Sequence, residues 1–401
     1  MTQAQAGKEA FTVDLDPTSP ELPAKVFETL ADVQAKCPVA WSESAQGFWA
    51  LTKYDDVTEA AQDWETFTSA EGIMIPPTGA SMRVIPAEVD PPRHTALRKL
   101  ALRHFRVKAI EQWEPAVREI VANAFEPFLA RGRADLVQEV ARPVPVLVIC
   151  HVLGIQRDWE LISRLADDFM AAGLYSEDVD ARRRAAKALE DFLEEEIEAR
   201  RGKPVVDMLG EFVNAEVDGK PLPPEEALGL VQLTVVAGHE TTVNAIGSIV
   251  YRIVSEPGLR DRLLADRSIL PQVIDEGLRL HPPVWSMART VRRETTRRGA
   301  ELCPGEKVML AFGAANRDPE KFENPNEFDI DRPGLTQHLT FGVGRHRCLG
   351  EALAKRELQV VLEYILDTIP DLEIDGEAVW GGHQNTHGTR SLPIKFSPIT
   401  T

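Results

Sequence analysis

The stretch Phe341-Gly-Val-Gly344-Arg-His346-Arg-Cys348-Leu-Gly350 restricts what this chain can fold into more than any other. A glycine-punctuated loop carries one cysteine straight into a helical run that reaches from Leu349 to about Thr368. A cysteine in the first turn of a helix sits among free backbone N–H groups at the positive dipole end, which stabilise a thiolate. Glycines allow turn conformations that a β-carbon forbids and let the backbone approach a large flat ligand. Phe341 is placed to cover the sulfur and exclude water. A lone free cysteine is most often inert and buried, so the pattern around Cys348 has to carry the functional reading.

Composition narrows the setting. Among 401 residues, 45 are basic and 63 acidic, a net charge of -18 that repels phosphate backbones and anionic lipid. Nucleic acid and membrane surfaces are therefore not expected partners. With 43% hydrophobic and 27% charged residues there is material for a sizeable core. The four cysteines, Cys37, Cys150, Cys303 and Cys348, show no pairing pattern, which suits a reducing cytoplasm. The N-terminus is polar, and no apolar run reaches the ~18 residues of a membrane span. A cytoplasmic protein is expected.

No repeat or low-complexity linker divides the chain, so residues 1–401 are read as one domain. Val39–Trp41 and Phe48–Thr52 read as a hairpin, and Tyr54–Trp64 as a short helix. Gly72–Asp90 is apolar without a period and reads as a long loop. From about Arg93 to Arg201 the spacing is helical, and ALEDFLEEEIEARR is a charged, exposed helix. Pro223-Pro224-Glu225-Glu226 opens a further helix that can run on through Val250. After Pro282-Pro283 short strands and turns follow, with helix returning at Leu349. The class is mainly α with a smaller β-rich part (α+β).

Three more patterns accompany the cysteine loop. Ala237-Gly238-His239-Glu240-Thr241-Thr242 lies inside the long helix, where a small-residue pair is locally costly and asks for a packing or functional reason. Thr241 can bond a carbonyl of the preceding turn or a water. Glu276 and Arg279 form an i,i+3 pair on one helix face. His94 and Arg98 share a helix face at i,i+4, and Arg289 lies in Ala288-Arg289-Thr290. Taken singly, these are a back-bonded threonine, a surface ion pair and solvated cations.

In combination they resemble the cytochrome P-450 family, from about Leu51 to Leu392. Phe341–Gly350 matches its FxxGxxxCxG haem loop, and the other motifs follow its order and spacing. The resemblance implies the P-450 fold, with the long helix crossing a haem b and the cysteine loop on the proximal side. Cys348 is then the axial iron ligand. His94, Arg98, Arg289, Phe341, His346 and Gly350 hold the cofactor, the cations by pairing with its propionates. Glu240 and Thr241 resemble the family's acid-alcohol pair, which relays protons while dioxygen is cleaved. Glu276, Arg279 and Arg332 would form a buried structural triad that holds the loop. In that family, thiolate ligation pushes electron density onto the iron and favours O–O cleavage.

The implied activity is that of a soluble bacterial-type monooxygenase, placing one oxygen atom of O2 into a small apolar substrate. No flavin or nicotinamide fingerprint is present, so electrons are expected from a separate ferredoxin and its NAD(P)H-dependent reductase. A basic cluster (Arg98, Lys99, Arg103, Arg106, Lys108, Arg345, Arg347, Lys355 and Arg356) would face that acidic partner. The pocket is expected to use Ile73, Met74, Ile75, Met82, Val84 and Ile85, with Leu233, Thr234 and Ala237, then Val284, Trp285 and Met287. Late residues around Thr389 would close it. A monomer is the family default. Dealkylation, desaturation or coupling, a peroxide-driven peroxygenase, a haem-thiolate sensor and, remotely, an acidic helical binding protein stay open. His239 has no assigned role.

Overall fold

The diproline-acid start at Pro223 is followed by one uninterrupted helix, Pro224–Ser255, of 32 residues. At 1.5 Å per residue it is about 48 Å long. Glu225 and Glu226 lie in its first turn, where the helix dipole favours them. Its residues are buried on more than one side, so it acts as an axle rather than a surface helix. In the computed structural model, which describes residues 8–76, 83–170 and 178–399, other helices wrap this axle. The helices Pro143–Leu153, Leu270–Leu280, Glu351–Thr368 and Val179–Glu198 pack directly on it.

The expected helical run before residue 201 divides into Arg93–Leu102, Val107–Leu129, Pro143–Leu153, Trp159–Asp168 and Val179–Glu198. One break was not foreseen. Arg133–Asp135 is a strand, paired antiparallel with Pro393–Lys395. A single-turn helix, Phe312–Ala315, also escaped the sequence reading. The helix expected over Tyr54–Trp64 runs Tyr54–Gln62.

Strands from both ends of the chain build a five-stranded sheet. Its order is Val39–Ser42, Phe48–Leu51, Lys307–Leu310, Met287–Val291, Phe67–Thr68. The first pair is the expected hairpin, with Val39 opposite Leu51. Phe48–Leu51 and Lys307–Leu310 run parallel, and the other neighbours are antiparallel. Pairing with Val308 fixes Arg289 in mid-strand, where it reaches the edge of the helical half. Among the described residues of Gly72–Asp90 there is neither helix nor strand. The result is the α+β class expected from the sequence.

Candidate functional site

Cys348 stands at the wall of a cavity of about 320 Å³ enclosed between the long helix, the Cys348 loop and the sheet edge. The sulfur is surrounded by protein yet open on its cavity side. It does not lie in the first helical turn, as expected, because the helix begins at Glu351 with Gly350 as its cap. The chemistry expected of a helix start is kept: the sulfur accepts from the backbone N–H groups of Gly350 and Glu351. Burial raises the thiol pKa, opposed by these amides and by Arg98. A cation bonded to the sulfur would reverse that balance. Gly342 and Gly344 take φ of 67° and 76°, the left-handed turn expected of glycines here. Gly350, at φ -82°, needs no such freedom.

The loop is tied to a buried polar network. Arg279 donates to both oxygens of Glu276 at 2.7 Å, with neither side chain exposed. Its remaining N–H groups reach the carbonyls of Asn316 and Pro325 at 2.7 Å and Glu327 at 3.1 Å. Arg332 joins Glu276 at 3.4 Å, the third member expected. Asn316 then accepts from Leu339 N–H at 2.6 Å and donates to Thr340 Oγ1 at 2.9 Å. The network thus fixes the two residues that precede Phe341. Every donor of Arg279 is used, which is the condition under which a buried ion pair is tolerable.

Four cationic or imidazole groups converge on the cavity: His94, Arg98, Arg289 and His346. None is in an ion pair with a carboxylate among the described residues. His94 is 2% exposed and both its ring nitrogens lack a partner. Its ring lies 4.3 Å from that of His346, whose Nε2 is 3.2 Å from Ser69 Oγ. Burial, then Arg98 and Arg345, push the His94 pKa down to about 4. Burial, then Arg289 and His94, push that of His346 down to about 3. Arg289 bonds its neighbour's carbonyl at 2.7 Å, and burial lowers it to about 10. Orphaned donors and unmatched cations around a cysteine suit a ligand that brings a metal for the sulfur and carboxylates for the cations. Haem has that chemistry, and the residues fit it.

The long helix supplies another wall. Ala237, Gly238, Thr241 and Thr242 line the cavity. Thr241 Oγ1 donates to Ala237 O at 2.8 Å, the back-bond expected of it. Glu240 does not line the cavity. Its Oε1 turns the other way and accepts from Arg390 Nη2 at 2.9 Å and Thr386 Oγ1 at 3.1 Å, while its Oε2 is buried without a partner. His239 is buried too, with Nε2 3.3 Å from Asp167 and 3.4 Å from Ser163 Oγ. It therefore clamps the helix Trp159–Asp168 to the long helix.

The expected lining was partly right. Ile73, Leu233, Thr234, Ala237, Val284 and Met287 face the cavity. Met74, Ile75, Ile85 and Trp285 are buried elsewhere, Ile85 and Trp285 in core clusters. Val84 does not reach the cavity, and Met82 lies outside the described residues. Thr389 packs on Gly247 instead of closing the pocket. Sequence reasoning missed Glu357, a fully buried acid on the cavity wall whose Oε2 has no partner and whose pKa burial raises. The turn spacing from Cys348 was the available signal. It also missed Arg390 and Thr386, which no local pattern joins to Glu240.

The family model "Cytochrome P450" matches residues 158–369, a span that includes Glu240, Thr241, Glu276, Arg279 and Cys348. The cytochrome P450 monooxygenase PikC of Streptomyces venezuelae is 32% identical over 413 residues, covering 99% of this chain and 97% of its own. A steroid C26-monooxygenase of Mycobacterium tuberculosis is also 32% identical, covering 92% and 95%. Among solved structures, the cytochrome P450 PksS of the Bacillus subtilis 168 bacillaene polyketide synthase superposes with a TM-score of 0.86. Its identity is 27%, over 96% of this chain and 100% of that one.

Proposed function

The chain belongs to the cytochrome P450 family of monooxygenases, and on that premise we propose that it inserts one oxygen atom of O2 into a small, largely apolar organic molecule. The observation that carries this is the convergence of Cys348 with two arginines and two histidines, none ion-paired with a carboxylate among the described residues, on one cavity that Thr241 also lines. Cys348 would ligate the iron of haem b. Arg98, Arg289, His94 and His346 would hold its propionates, with Phe341 and Gly350 against its face. Bound haem supplies the activation of dioxygen and the transfer of oxygen to substrate.

The chain's own groups do the rest. Leu233, Ala237, Val284 and Met287 give the substrate an apolar seat and exclude water. Thr241 presents a hydroxyl at the cavity, and Glu240 behind it is the acid whose unpartnered Oε2 can pass a proton on. The presence of this pair favours reduction by an external electron donor over a peroxide-driven reaction. The relative named as a steroid C26-monooxygenase supports an apolar substrate.

Electrons are assigned to a separate ferredoxin and NAD(P)H-dependent reductase. The basic surface supports this in reduced form. Arg103, Arg347, Lys355 and Arg356 pair with Glu211, Glu351, Asp275 and Glu114. Lys99, Arg106, Lys108 and Arg345 are exposed and in no ion pair among the described residues, beside exposed Leu102 and Val107. Among the described residues no helix is long and apolar enough to cross a membrane, and we place the enzyme in the cytoplasm as a monomer. The deciding experiment is the reduced, carbon-monoxide difference spectrum beside Cys348→Ala. A long-wavelength thiolate Soret band that the substitution abolishes is expected. A haem-free protein, or a band unchanged in the variant, would overturn the assignment.

A further inference from the structure

Glu240 is reached from two sides, and only one of them opens to water. Its carboxylate is 5% exposed and lies off the cavity wall, so the cavity does not supply its protons directly. Its Oε1 is gripped by a hairpin made of Val379–Gly381 and Gly388–Ser391, through Arg390 at 2.9 Å and Thr386 at 3.1 Å. Thr386 Oγ1 in turn accepts from the His383 N–H at 2.9 Å, which sets the loop between the two strands. This places His383 Nε2 3.9 Å from Glu240 Oε1, with the His383 side chain 32% exposed.

We propose that His383 is the solvent-side proton-exchange residue of Glu240, positioned with Arg390 and Thr386 by this hairpin, so that protons enter through the hairpin rather than the substrate cavity. The inference rests on reading Glu240 and Thr241 as the proton relay. Arg390 cannot be deprotonated in a protein, and a threonine hydroxyl is too weak an acid. Among the described groups that touch the acid, His383 joins a titrating side chain to solvent. Among the described residues, charged groups facing it include Glu240 on the long helix, Arg390 on the hairpin and Asp167 on the helix Trp159–Asp168. Asp167 is itself held by His239 at 3.3 Å and by Arg142.

Burial lowers the His383 pKa against the pull of Glu240, which keeps the ring neutral near neutral pH and able to relay. In the step, the His383 Nε2–H bond breaks and an O–H bond forms on Glu240 Oε1, across one bridging water or a small rotation. Nδ1 takes a proton from solvent as Nε2 gives one up, which leaves the Nδ1–H tautomer, and proton exchange with solvent at the exposed ring restores the Nε2–H form. One proton moves inward and no electron moves. Rotation of the resulting carboxyl about its Cγ–Cδ bond carries that proton to the unpartnered side of the acid, from which it passes toward Thr241.

Two readouts test this on the full-length haem-loaded protein. The first needs no turnover. In NMR titration of the ring C–H of His383, Glu240→Gln should lower the His383 pKa by about half a unit or more, because a facing carboxylate is lost. An unchanged pKa would show that the two groups do not communicate. The second uses a surrogate ferredoxin, its reductase and NADH, without added substrate, and follows oxygen consumption in H2O and D2O from pH 6 to 9. General acid–base groups typically contribute about 10²–10⁴-fold, and a bypass by water leaves a smaller deficit. His383→Phe and His383→Gln should each slow consumption about 5-fold or more and raise its solvent isotope effect, with the thiolate carbon-monoxide band intact. Wild-type rate and isotope effect in both variants, with that band present, would overturn the proposal alone. Loss of the band in the wild-type protein would instead remove the haem-thiolate reading beneath it.

Discussion

Replacing Arg279 by alanine tests whether the cysteine loop is held by the buried network. Two bonds of 2.7 Å tie Arg279 to Glu276, and both side chains are at 0% exposure. Removing the guanidinium leaves Glu276 with Arg332 at 3.4 Å and the Asp329 N–H at 2.9 Å. Breaking a buried pair from one side costs about 3–5 kcal/mol. The carbonyls of Asn316 and Pro325 lose donors at 2.7 Å, at about 1–3 kcal/mol each if water cannot replace them. The low end of each range gives about 5 kcal/mol. That matches the whole stability of a marginal domain and a third of that of a robust one. In urea unfolding followed by tryptophan fluorescence, Arg279→Ala should lose at least that much, and its yield of haem-loaded protein should fall with it. Adding Glu276→Leu to Arg279→Met should recover part of the loss, since no carboxylate is then stranded. A loss below about 1 kcal/mol in Arg279→Ala, with the carbon-monoxide band unchanged, would refute the reasoning: the pair would then act like a surface ion pair.

Three other outcomes follow from the geometry. Combining His94→Ala with Arg289→Ala should speed haem transfer to apomyoglobin at least 10-fold, since bonds to charged groups contribute about 1.5–3 kcal/mol each; an unchanged rate would exclude these residues as propionate partners. A β-carbon on Gly388 would lie 2.4 Å from Asn244 Cβ, so Gly388→Ala should destabilise by about 1–3 kcal/mol and loosen the hairpin that grips Glu240, read by urea unfolding. Burial, against a Pro23 carbonyl at 2.8 Å, holds His387 down to about 4 from an ordinary 6.5. Because its folded pKa lies below its unfolded one, its contribution is complete above pH 6.5 and is lost as pH falls toward 4. At about 1.4 kcal/mol per unit the full loss is about 3–4 kcal/mol. The urea midpoint should drop over that window, and His387→Gln should flatten the drop; equal slopes would contradict it.

Local order was legible wherever the chemistry is local. The hairpin at Val39–Leu51, the proline-and-acid start at Pro224 and the Glu276–Arg279 spacing all follow from neighbours within a few residues. Arg133–Asp135 was not legible, because three residues in a helical context become a strand only when Pro393–Lys395 comes alongside. The side of an apolar residue was equally hidden: Ile73 and Trp285 look alike as composition, yet one lines the cavity and the other fills the core. At the candidate site, Cys348 and the cations stood out through spacing. The orientation of Glu240 did not, since its partners Arg390 and Thr386 arrive on a hairpin that shares no pattern with the long helix.

The parallel pairing of Phe48–Leu51 with Lys307–Leu310 also sets a timetable. A ribosome releases the first strand early and the second only after most of the helices have emerged. Until then the Val39–Leu51 hairpin waits with an open edge, and all four residues of its second strand are ones the finished fold buries. Such a waiting edge recruits other chains, and pairing across so long a loop is slow. Nascent chains stalled before Leu310 should therefore be the species that chaperones hold. C-terminal truncations ending there should aggregate even though most of their helices are already in place.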